Sequence, residues 1–140
     1  MHLKEIELRE LDRKAVLGFP GANERLKHQA MEGCAYTGID DSCEIIIIGG
    51  VVEIWEGVGA AWLLTSSLLP KNKIWAHRAI RDILCDAIET YNLHRVETLV
   101  LEDHLVSQRW ISRLGFQQEG LFRKYDSDQN NHYMFARIEG

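Results

Sequence analysis

The sequence predicts one α/β domain built on a mixed sheet of about six or seven strands, with helices on both faces. Three observations carry this. At 140 residues and 46% hydrophobic content the chain suits a single core, since ~100–200 residues per domain is usual. Candidate strands and helices follow in the order strand, two helices, three strands, helix, strand, helix, two strands. From Trp75 to Tyr91 the apolar positions recur at three and four, so a helix separates two strands and a right-handed βαβ crossover is expected.

His2 to Leu8 alternates imperfectly and reads as an edge strand. Segments 9–17 and 22–32 are rich in helix formers and are parted by Gly18-Phe19-Pro20-Gly21, giving two short helices. Glu44–Ile48 and Val51–Trp55 read as strands joined by a hairpin turn at Gly49-Gly50, and Ala60–Thr65 completes a meander. Arg95–Leu101 is expected to lie parallel to that third strand of the meander. Leu105–Leu114 is a short helix stopped by Gly115 in a left-handed conformation. Gln118–Tyr125, a polar turn over Asp126–Asn131 and His132–Ile138 close the sheet as an antiparallel pair.

Composition removes several classes of function. With 16 Lys plus Arg against 21 Asp plus Glu the formal charge is −5, which offers no basic face to a nucleic acid. No apolar run approaches the ~20 residues of a membrane span, and the first residues lack the features of an export signal. Cys34, Cys43 and Cys85 are odd in number and scattered, so neither a disulfide framework nor a metal site is expected, and a cytoplasmic setting suits them.

Trp110 to Gly120 (WISRLGFQQEG), the succeeding LFRKY and the terminal HYMFARI, together with the order of elements, resemble the Gcn5-related N-acetyltransferase (GNAT) family across nearly the whole chain. With AAWLLT before the main helix, the pattern is also similar to small GNAT-like proteins of tailed bacteriophages. The resemblance implies an N-acetyltransferase that uses acetyl-CoA as co-substrate and an amine, on a small molecule or a protein, as acceptor. It is compatible with a homodimer. The alternative it leaves open is a catalytically inactive scaffold that binds a partner protein of phage or host.

The family pattern Gln/Arg-x-x-Gly-x-Gly/Ala maps onto Lys71, Asn72, Lys73, Ile74, Trp75 and Ala76, at the start of the main helix, where backbone N–H groups would meet the CoA pyrophosphate. Ile74 replaces the first glycine and cannot supply a positive φ cheaply, so the loop must take another path. A solvated basic helix start is the competing reading. Leu63, Leu64 and Thr65 would line the gap holding the pantetheine arm; as an inner strand they need no ligand. His104 and Ile111 stand where the family places Asn and a proton-donating Tyr. His104 is a candidate replacement donor or CoA contact, or else a capping neighbour of the helix. Glu53 and Glu102 are candidate bases, with Glu56 and Asp103 as further carboxylates at strand ends. The hairpin at Gly49-Gly50 and the parallel pairing of Ala60–Thr65 with Arg95–Leu101 are the two backbone features expected to decide this assignment.

Overall fold

The computed structural model describes residues 34–140, so the expected strand at 2–8 and the helices at 9–17 and 22–32 lie outside the described residues. The described elements are β1 (Cys34–Ile39), β2 (Ile45–Trp55), β3 (Val58–Thr65), a 3-10 turn (Leu69–Asn72), α1 (Lys73–Thr90), β4 (Arg95–Leu101), α2 (Leu105–Arg113), β5 (Gln117–Phe122) and β6 (His132–Ile138). They form a six-stranded mixed sheet in the order β1-β2-β3-β4-β6-β5. All neighbours are antiparallel except β3 and β4.

The Gly49-Gly50 hairpin is not present. Both glycines lie in the middle of β2, Gly49 opposite Tyr36 and Leu63, Gly50 opposite Ala35 and Trp62. A two-residue hairpin turn needs positive φ, and neither glycine has it. Gly49 is there for space instead. A Cβ on it would stand 2.7 Å from Leu63 Cδ1 and 2.8 Å from the Trp62 carbonyl oxygen. The hairpin turns at Glu56-Gly57, where Gly57 takes φ 80 and Trp55 pairs with Val58.

The meander therefore consists of β1, β2 and β3, and β1 is a strand that the sequence pattern does not announce. Asp40 builds its first corner: Oδ1 accepts from the backbone N–H of Ser42 and of Glu44, each at 2.9 Å. The hairpin at Gly49-Gly50 therefore fails as a deciding feature, because the antiparallel meander forms with its turn at Glu56-Gly57 instead; the other deciding feature is present. β3 and β4 run parallel, paired at Val58–Arg95, Gly59–Val96 and Ala60–Glu97, and then part.

α1 starts at Lys73, two residues before the expected start, because Pro70 seeds a 3-10 turn that leads straight into it. Both helices end with the paired bonds of a Schellman motif. After α1, Leu93 N–H reaches Ile88 O and Asn92 N–H reaches Glu89 O, with Asn92 at φ 49. After α2, Phe116 N–H reaches Ile111 O and Gly115 N–H reaches Ser112 O, with Gly115 at φ 93 as expected. β5 ends three residues early, before Lys124 at φ 49.

Both described helices pack on one face of the sheet. Leu84 and Ala87 of α1 and Leu114 after α2 join Val51, Val96, Val100 and Phe135 in one buried cluster. Ile46, Ile47, Leu69 and Ala76 form a second under the start of α1. Cys85, on α1, is exposed, as is Cys43. Among the described residues no helix is long and apolar enough to cross a membrane.

Candidate active site

β3 and β4 are parallel, so their carboxyl ends share one end of the sheet, and it is there that the strands separate. The segments that leave the two strands are consequently gathered at that end. β3 leads through Ser66 into the 3-10 turn and the N-terminus of α1; β4 leads through Glu102 and Asp103 into the N-terminus of α2. Ligands of open α/β sheets settle outside strand carboxyl ends for this reason. Residues 63–65, residues 71–76, Glu102 and His104 are thus brought to one end. Glu53 is not: it pairs with Gly59, at the still-joined end of β3.

The N-terminus of α1 is suited to an anion. No side chain caps it, and no acidic residue lies in its first turn. Lys71 and Lys73 are exposed beside it. Helix dipole and lysines therefore favour the same charge sign. Asn72 Nδ2 donates instead to Leu68 O at 2.9 Å, and Ser66 Oγ donates to Ile45 O at 2.7 Å, fixing the approach. Ile74 is helical and 72% exposed, with no positive φ.

Past Ala60 the backbone of β3 has no β4 ladder. Leu64 and Thr65 are buried there, while Leu63 lines a cavity of about 220 Å³ between the sheet and the helices. Trp75, Ala79 and Ile83 give the cavity one face of α1, four residues apart, and Trp110 and Ile111 close it from α2. Trp110 is held by its indole N–H, which donates to His77 Nδ1 at 2.9 Å and ties α2 to α1. Trp62 Nε1, on the same stretch of β3, is buried and has no hydrogen-bond partner. Ala76 is fully buried.

His104 is 4% exposed and caps α2. Its Nδ1 accepts from Ser107 N–H at 3.3 Å, and Nε2 lies 3.3 Å from Ser107 Oγ. With Nδ1 accepting, Nε2 of a neutral ring is the donor, toward the Ser107 hydroxyl. Glu102 is half-buried, with Oε2 accepting from Asn131 Nδ2 at 2.8 Å. Glu53, Glu56 and Asp103 are exposed.

The cavity is not foreseen from the sequence. Its clue is the pair of glycines inside a β-branched run, which marks a close approach as readily as a turn. Ile111 stands out in the sequence only as a departure from the family pattern, yet it is part of the wall.

No family model and no curated protein matches the chain. Solved structures do. An IAA acetyltransferase from Bacillus cereus is similar with a TM-score of 0.72 at 11% identity over 91% of this chain and 91% of that one. The ribosomal-protein-S5-alanine acetyltransferase from Vibrio fischeri gives 0.67 at 18% identity, covering 85% and 69%. A variant of the spermidine N-acetyltransferase SpeG from Vibrio cholerae gives 0.66 at 14% identity, covering 83% and 73%. The mixed sheet, the one parallel pair among the described strands and these neighbours together show that the chain has the fold of the GNAT acetyltransferases.

Proposed function

We propose that the protein is an acyl-CoA-dependent N-acyltransferase that moves an acetyl group from acetyl-CoA directly to an amine. The observation that carries this is the parting of β3 and β4 after three paired positions, beside a helix N-terminus with two lysines and no carboxylate in its first turn. The residues present suit the co-substrate. Amides at the start of α1, with Lys71 and Lys73, would hold the phosphates, and the unladdered edge of β3 from Ala61 to Thr65 would pair with the amide-bearing arm. Trp62 Nε1 is a buried donor awaiting an acceptor.

In the reaction the neutral amine attacks the thioester carbon, the N–C bond forms and the C–S bond breaks. The thiolate departs with the bonding electrons, and the amine's extra proton passes to a base or to water. Glu102, at the open end of β4, is our candidate to take that proton, with Asp103 beside it; Glu53 stands at the joined end. No dedicated acid is required. A thiol of pKa ~8.5 leaves as thiolate at pH 7 at a cost of only ~2 kcal/mol. His104 then serves α2 as its cap.

One observation favours a second reading. Ile111 occupies the position of the family's tyrosine and contributes to the cavity wall, so the scaffold could bind a protein of phage or host without catalysis. Calorimetric titration with acetyl-CoA, followed by thiol release over a panel of amines, separates the two. Binding with turnover is the expected result; absence of binding at millimolar acetyl-CoA overturns the enzyme reading.

A further inference from the structure

We propose that the cavity takes a neutral apolar group of about six to eight carbons, alkyl or aryl, carried by one of the two co-substrates. The source of the group rests on the acyltransferase reading; the cavity itself does not. At about 220 Å³ it exceeds the ~150 Å³ that admits benzene in an apolar interior. It is far larger than a methyl group requires.

The lining sets the chemistry of the occupant. Among the described residues that line it there is no Asp, Glu, Lys, Arg or His, so a cationic chain placed against them would lose its hydration with no carboxylate among them to replace it. A polyamine, the class named for the Vibrio cholerae neighbour, does not suit this space. An uncharged ring or chain does.

Three features shape the walls of this space, two of them glycines over which a wall side chain lies. Gly38 has no side chain where Trp75 lies: a Cβ there would stand 2.6 Å from Trp75 Cη2. Gly49 is equally bare where Leu63 crosses, although glycine inside a strand weakens it. On α1, Ala79 is small where its neighbours along the same face, Trp75 and Ile83, are large. Trp75 and Tyr36, both partly exposed, stand at the mouth. Trp75 is also two residues from Lys73, so a group entering there would belong to a molecule whose anionic part could rest on the start of α1.

The test separates the cavity from its source. Ethylbenzene, titrated while tryptophan emission is followed, should give a saturable change in the wild type that disappears in Ala79→Phe. Ala61→Leu, which fills the floor from β3, serves as a second variant should the first fold poorly. If the group belongs to the acyl donor, octanoyl-CoA should bind at least tenfold more tightly than acetyl-CoA. If it belongs to the acceptor, 2-phenylethylamine should bind at least tenfold more tightly than ethanolamine in the presence of acetyl-CoA. Either gain should vanish in the filled variants. No saturation by ethylbenzene overturns the proposal, as does saturation with neither gain. Failure of acetyl-CoA to bind is a different result, and it overturns the acyltransferase reading.

Discussion

Asp126 shows how much one carboxylate can fix. It is buried with His132 behind the last turn; Oδ2 lies 3.0 Å from His132 Nε2, and Oδ1 accepts the backbone N–H groups of Asp128 and Asn130 at 3.0 and 2.8 Å. Burial pushes its pKa up, but the bonds from His132 and Asn130 outweigh that and hold it at about 2. A carboxylate depressed in the folded state stabilises above its unfolded value, near 3.8, and loses that contribution as pH falls toward 2. Stability should therefore hold down to about pH 4 and decline between 4 and 2, with a smaller decline in Asp126→Ala, as read by urea titration across that range. At neutral pH the same variant should lose about 2–3 kcal/mol, because His132 and the turn amides lose a buried partner. A variant as stable as the wild type at pH 7 would show that the turn stands without its carboxylate. At this scale the sequence shows a polar turn over Asp126–Asn131, but not the carboxylate that organises it, since burial of Asp126 depends on strands brought together by the sheet.

α1 carries the prediction that belongs to an element. Backbone amides at a helix start do not depend on side-chain identity, which is why the start of this helix is a candidate anion site although Ile74 departs from the family pattern. The path into it is less legible, because Pro70 and the Ser66 anchor act through a 3-10 turn that periodicity does not register. Reversing charge at Lys71→Glu or Lys73→Glu sets a like charge against the phosphates and offsets the positive potential that the helix start offers them. Each should weaken acetyl-CoA binding by ~1 kcal/mol or more, and more strongly at low salt, because both side chains are exposed and screened. Calorimetry at two ionic strengths measures this. Unchanged affinity in both variants at low salt would move the phosphates elsewhere. β2 makes the opposite point about legibility. Gly49-Gly50 is ambiguous by itself, and only the approach of Leu63, from the neighbouring strand, decides that it is strand and not turn.

The described part of the sheet is two antiparallel halves, β1-β2-β3 and β4-β6-β5, joined by three positions of parallel ladder and by the core beneath α1 and α2. The second half is the more legible. Arg95–Leu101 and His132–Ile138 have the bounds read from their own β-branched and aromatic residues, and the parallel crossover comes from the helix between strands. The cavity is not legible because it is assembled from both halves and both helices. A molecule lying along β3 from Ala61 to Thr65, with its phosphates on α1, would occupy the gap that the short ladder leaves and bind only the folded sheet. Ligand at 100 times its Kd stabilises the native state by about 2.7 kcal/mol, which for a domain of this size raises the melting temperature on the order of 5–10 °C. Amide exchange should slow most in β3 beyond Ala60 and at the start of α1, and β5, at the far edge of the sheet, should change least. Calorimetric melting and exchange with and without saturating acetyl-CoA measure both. Protection confined to β5 and β6, with β3 unchanged, would show that the gap between the halves is not where acetyl-CoA binds.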